Sequence, residues 1–308
     1  MFESWTAKIN DGRGKHSASI FRQCPLKLRA RLLGVVMMAT LLLMDAKVSL
    51  GGRPLVVDDA APVAAGHVEV EIGLSHTRLY GGSRQQALPT ITTAYGTIDK
   101  LEIGLGIQRG DHHQRGEAPV RGFEDLHLLT KFSVIEETEV LPAAAFSLDV
   151  SVPTANKSKG LSTGRSDQAF TFIISKLYGL TGLHLNLGYL LVDSPRAAKL
   201  KNRLRGGIAA DYGIHPAMAL VGEVFGSSRP SKGEKNEAAF QLGLRYALSS
   251  NLVLDVAGGR SLRSSGASVH GTAGLTWTID IANYPKGRNR PSGALRDCRE
   301  PPAEIGID

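Results

Sequence analysis

Cysteine is almost missing from this chain: 308 residues hold two, Cys24 and Cys298. Cys24 precedes the one compact apolar run and Cys298 lies in a polar tail, so the region between has no internal disulfide and no cysteine metal site. Long apolar runs are missing too. Leu32 to Met44 is roughly a dozen residues, short of the ~20 that a membrane-crossing helix needs. Aromatic residues make up 6% of the chain. No glycine-rich loop leads from a strand into a helix; Gly104-x-Gly106 and Gly258-Gly259 sit inside alternating stretches, where glycine admits curvature or close packing. These absences exclude a helical membrane protein, a cysteine-stapled domain and a nucleotide-driven pump.

What the chain has is alternation. From about Val68 to Ile279 apolar and polar residues exchange places with a period of two, in segments of roughly ten residues. Leu183-His184-Leu185-Asn186-Leu187-Gly188-Tyr189 is the cleanest, with Val68–Leu74 and Leu101–Ile107 close behind. Each such strand has one greasy and one wet face. The pattern predicts about twelve strands, near 67–77, 87–96, 100–109, 124–135, 141–152, 168–178, 182–192, 203–213, 216–226, 237–247, 250–260 and 267–279. With no amphipathic helix between them, the expected fold is all-β: a transmembrane antiparallel up-and-down β-barrel.

Three features sort by strand parity. Links after even strands are short (97–99, 179–181, 213–215, 248–250), whereas those after odd strands are long (78–87, 110–123, 153–167, 193–202, 227–236). The long links carry Arg84, Arg109, Arg115, Arg121, Lys157, Lys159, Arg165, Lys199, Lys201, Arg229, Lys232 and Lys235. Tyr95, Tyr178, Tyr212, Tyr246 and Trp277 gather at the short-turn ends, where a barrel keeps an aromatic girdle. Short turns therefore belong to the periplasmic side and basic loops to the outside, where they meet lipopolysaccharide phosphates. That placement accounts for the formal net charge of +7 without nucleic acid.

An Arg or Lys facing lipid at mid-bilayer costs about 2–4 kcal/mol. The charged positions alternating with the greasy series are therefore expected to line the lumen: Glu69, Glu71, Glu102, Asp125, Lys131, Asp149, Arg203, Arg205, Asp211, Glu223, Arg245 and Asp255, with His184 and Asn186. Both signs are present, so these residues either knit an internal network that plugs the barrel or line a narrow polar conduit.

Residues 1–50 read as an export signal with an N-terminal extension: Arg22, Lys27, Arg29 and Arg31 precede the short apolar core. Residues 51–66 form a periplasmic lead-in, 67–281 the barrel, and 282–308 a polar, disordered tail. The expected location is the outer membrane of a Gram-negative cell, reached through the barrel-assembly machinery.

Short motifs add a resemblance. Arg53-Pro54-Leu55-Val56-Val57-Asp58-Asp59-Ala60 with Gly66 and Glu69 looks like the opening of one group, as does Gly122-Phe123-Glu124-Asp125-Leu126 leading to Lys131. Val152-Pro153-Thr154 with Gly160 and Gly164, and Leu185-Asn186-Leu187-Gly188-Tyr189, resemble two of its strand segments. The group is the outer-membrane transporter family named after the MetA pathway of phenol degradation, and the resemblance spans about residues 53–281. It departs at Ala155, where the group has glycine, and in continuing past Trp277–Ile281 to Asp308. The resemblance implies a channel or transporter and supplies no catalytic residues or cofactor.

The resulting expectation is passive passage of small solutes, aromatic or apolar ones among them. The alternatives are an outer-membrane enzyme acting on lipid and a plugged structural barrel. A barrel lipase needs its serine and histidine on the lipid-facing surface, whereas His184 and Asn186 face inward and no serine is marked. Asp111-His112-His113 reads as part of a solvated loop, since adjacent imidazoles on an extended chain point apart.

Overall fold

In the computed structural model of the chain, residues 52–80, 83–114, 116–193, 200–231, 233–263 and 267–281 are described; the segments expected to be an export signal and a polar tail, and both cysteines, lie outside them. The strands are β1 (His67–Leu79), β2 (Arg84–Ile98), β3 (Leu101–His113), β4 (Val120–Phe123), β5 (Leu126–Ile135), β6 (Ala143–Val152), β7 (Gln168–Tyr178), β8 (Thr181–Leu191), β9 (Arg203–His215), β10 (Met218–Ser227), β11 (Glu237–Ser249), β12 (Leu252–Ser261) and β13 (Ala267–Asp280). Apart from β4 and β5, which do not pair with each other, each strand pairs antiparallel with its neighbours in sequence, and β1 pairs with both β2 and β13, so the sheet closes. β4 and β5 both pair with β3 and are separated only by Glu124 and Asp125. They share one position in the wall, which makes the barrel twelve-stranded.

Closure turns the sequence period into two surfaces. Leu183 and Leu187 on β8, Leu204 and Ile208 on β9, Leu242 and Leu244 on β11, and Leu254 and Val256 on β12 all lie exposed on the outside. The residues between them point inward, and among these Lys131, His184, Asn186, Asp211, Glu223, Arg245 and Asp255 are buried. A fold with charges inside and leucines outside is stable only if hydrocarbon surrounds it. The barrel is a transmembrane one.

Tyr178, Tyr212, Tyr246 and Trp277 are exposed at the short-turn rim, with Tyr95 half-buried beside Val68. On that rim lie the links 99–100, 179–180, 216–217 and 250–251, together with a longer one, 136–142. At the other rim the strands run further than alternation suggests. β1 and β2 still pair at Arg78↔Arg84, and β3 continues through Asp111, His112 and His113. The expected solvated loop is thus strand. A ladder needs only backbone partners, so pairing continues where the apolar alternation has ended.

Position along a strand fixes the cost of a lipid-facing charge. Leu242→Arg, in the middle of β11, is expected to destabilise the barrel in bilayers by about 2–4 kcal/mol, and Leu248→Arg, near the rim, by about 0–1 kcal/mol. Urea unfolding in lipid vesicles measures both; equal losses would contradict the membrane placement.

Candidate functional site

The lumen is not empty. Residues 52–66 run round its inner wall as a strap, meeting the strands in nearly the reverse of their chain order. At its start Arg53 occupies a niche between β12, β13 and β1. Its guanidinium donates to both oxygens of Asp255 at 3.2 Å and to Thr272 Oγ1 at 2.8 Å, while its backbone N–H donates to Glu71 Oε1. The niche exists because Gly73 and Gly274 face each other across β1 and β13. A Cβ at Gly73 would lie 2.0 Å from Arg53 Nη1, and one at Gly274 2.5 Å from Arg53 Nε.

The lap continues along β11, where Arg245 donates to the carbonyls of Gly52 and Arg53, and Gln241 to that of Pro54. On β10, Glu223 accepts from the N–H groups of Val56 and Val57 at 2.7–3.0 Å, and from Gln241. Val57 then packs over Gly207 on β9. Asn186 on β8 accepts from Asp58 N–H at 2.8 Å and donates to Asp58 O at 2.9 Å. Ala60 packs with Ala145 of β6 and Ile173 of β7. Lys131 on β5 pairs with Asp58 at 2.9 Å, Glu102 on β3 accepts from Val63 N–H, and Ala65 bridges to Gly96 on β2. An irregular backbone at membrane depth must find partners in the protein or in water. Here the wall supplies them, strand by strand.

Most lumen positions expected from sequence meet this strap. Glu71, Glu102, Lys131, Asn186, Glu223, Arg245 and Asp255 bond to it directly. His184 acts through a neighbour: Ala60 N–H donates to Ser175 Oγ, which lies 2.9 Å from His184 Nδ1, while His184 Nε2 lies 2.9 Å from Asp211 Oδ1. A hydrolytic relay must turn its serine oxygen toward a substrate; this one is turned toward the strap and holds it. Glu69 shares the inner face of β1 with Glu71.

Four residues stand apart from the strap. Asp125 does not pair with Lys131: it lies at the loop-side mouth, accepting from Ala155 N–H and Ser162 Oγ, and so ties down the 153–167 loop. Asp149 pairs with His127 at 2.7 Å. Arg203 and Arg205 face a cavity of about 790 Å³ that lies above the strap and has residues 53–58 as its floor. Arg53, Gln241 and Ser175 escaped sequence reasoning. Gln241 and Ser175 carry the signal of polar side chains on inner-face positions; Arg53 stands outside any periodic segment and carries none.

At the loop end His112 bonds to Glu124, His113 pairs with Asp111, and Asp111 pairs with Arg121. Among the described residues no group of three or more His, Cys, Asp or Glu side chains is arranged to hold a metal ion.

Glu223 accepts two backbone N–H bonds of the strap, each a charge-assisted bond of about 1.5–3 kcal/mol. In a chain with Cys24 and Cys298 replaced by serine, a cysteine at buried Val57 (V57C) is expected to resist a water-soluble maleimide and to react once Glu223→Ala is added. Equal labelling rates in the two proteins would show that Glu223 does not hold the strap.

The fold is shared by solved structures of low sequence identity. The COG4313 outer membrane channel from Pseudomonas putida F1 aligns over 72% of this chain and 98% of its own, at 12% identity and a TM-score of 0.58. A NanC porin aligns over 69% of this chain and 100% of its own, at 7% identity and a TM-score of 0.50. No curated protein matches the sequence. The sequence pattern of the family described as "Uncharacterised conserved protein UCP029691" matches residues 41–276, and the chain belongs to that family.

Proposed function

We propose that the protein is an outer-membrane channel for passive passage of small solutes, with the 52–66 strap as its constriction. The observation that carries this reading is the cavity of about 790 Å³ between the strap and the loop-side mouth, lined by both polar and apolar side chains. Twelve strands lie between the eight whose interior side chains can fill and the 16–18 that leave a wide aqueous pore. A strap lying along such a wall narrows the lumen, and the bonds holding it come from separate side chains that can release it in part. Support for the outer-membrane location comes from the greasy exterior, the aromatic rim and a fold shared with an outer membrane channel and a porin.

The motif resemblance to phenol-degradation transporters favours aromatic solutes, and Phe225, whose ring stands 6.0 Å from that of His270 on the cavity wall, offers them a surface. Export would use the segment before residue 51, insertion the barrel-assembly machinery, and Lys157, Lys159, Arg165 and Arg229 would face lipopolysaccharide phosphates. Solutes would follow their gradients.

In planar bilayers the purified chain is expected to give small unitary currents, and a chain lacking residues 53–63 currents several-fold larger. If neither conducts, the channel reading is wrong. If both conduct equally, the strap is not the constriction.

A further inference from the structure

The charges on the cavity wall are not all neutralised. Asp58 is held by Lys131, Glu102 by the Val63 N–H at 2.6 Å, Asp149 by His127 at 2.7 Å, and Glu237 accepts from Ser227 Oγ at 3.3 Å. Arg53 is engaged by Asp255. Arg203 and Arg205 differ: both line the cavity, and among the described residues neither forms a direct ion pair or side-chain hydrogen bond, although Asp149 acts on Arg205 and Asp167 on Arg203 from further off. They stand on the same face of β9, two residues and hence roughly 7 Å apart. Two like charges so close in a confined lumen repel one another; Asp149 and Asp167 offset this from a distance, and an anion in direct contact with both guanidiniums would offset it more fully.

The surroundings of Arg205 are cut back to leave room. Across the register it faces Gly188 on β8 and Ser227 on β10, and the next inward position on β9 is Gly207. Opposite Gly207 stands Phe225, whose ring edges that of His270 on the cavity wall, while Val57 of the strap packs over the glycine itself. The result is two guanidiniums without a direct partner at the loop side and an apolar ring one step nearer the strap. Planar guanidinium forks bind carboxylates through paired hydrogen bonds, and an aromatic face accepts a ring in offset or edge contact.

We propose that Arg203, Arg205 and Phe225 form a binding site for a small aromatic carboxylate, with the carboxylate held by the arginines and the ring against Phe225. The assignment deepens the channel reading: within it, the site selects aromatic anions over neutral aromatics before they reach the strap. The shared chemistry is anion recognition plus an apolar contact, and it needs no metal or second protein.

The test is calorimetric titration of the full-length barrel in detergent micelles with benzoate and with benzyl alcohol, its neutral counterpart. Benzoate is expected to bind roughly tenfold or more tightly than benzyl alcohol, and R203Q/R205Q to weaken benzoate by a similar factor. K157Q/K159Q, on an exposed loop, is expected to leave benzoate affinity unchanged. Heat-modifiable gel mobility checks that each barrel is folded; should the double variant fail, Arg205→Gln alone carries the test. Equal affinity for the two probes, no loss on removing the arginines, or an equal loss in the lysine control would overturn the site. Arginine-dependent benzoate binding with no flux through the wild type would uphold the site and sink the channel, whereas flux with arginine-independent binding would do the reverse.

Discussion

Within hydrocarbon no water is available for a stray N–H or carbonyl, and one consequence governs this molecule: the sheet must close on itself. Closure is made by β1, which pairs along almost its whole length with β13 on one side and β2 on the other. Once the edges are gone, the period of two has a single meaning for every strand. Leucines and phenylalanines go out, charges go in, and a slip of one residue anywhere would invert both faces. The greasy exterior, the polar lumen and the aromatic rim all follow from that pairing.

The lumen then poses the opposite problem. It is too wide for wall side chains to fill and lined by charges of both signs. The strap answers it with backbone: its N–H groups go to Glu71, Glu102 and Glu223, its carbonyls to Arg245 and Gln241, and its Asp58 to Lys131. Wall charges that would otherwise repel or sit unpaired become anchors. Where the strap does not reach, at Arg203 and Arg205, the guanidiniums make no direct ion pair and face the cavity. Constriction and selectivity in this account are two outcomes of one distribution of lumen charge.

Much of this was legible in the sequence. The strand count and the alternation of inward and outward positions follow from periodicity, because closure converts alternation directly into in and out; loop length was a weaker guide, since the link 136–142 on the short-turn rim is longer than 80–83 on the other. The strap was not legible. Arg53 to Ala65 has no period, and its course depends on bonds to residues more than a hundred positions away, such as Ser175, Glu223 and Asp255. Glutamates expected to meet cations instead accept backbone N–H groups, a partner that every residue but proline offers and no sequence pattern marks. The β3 extension through Asp111–His113 was missed for a related reason: beyond the membrane a ladder no longer needs a greasy side. Asp125 lies at the loop-side mouth, beside His127, Asp149 and Arg205, where it binds the 153–167 loop.

The most direct test of hydrocarbon outside and polar lumen inside is a nitroxide scan along β11 in lipid vesicles, reading collision with oxygen against collision with a water-soluble nickel complex. Positions 242, 244 and 246 are expected to favour oxygen, and positions 241, 243 and 245 to be shielded from it, alternating residue by residue. Nickel access at 242 and 244 equal to that of exposed loop residues would mean that water covers the leucine face, and would contradict the account.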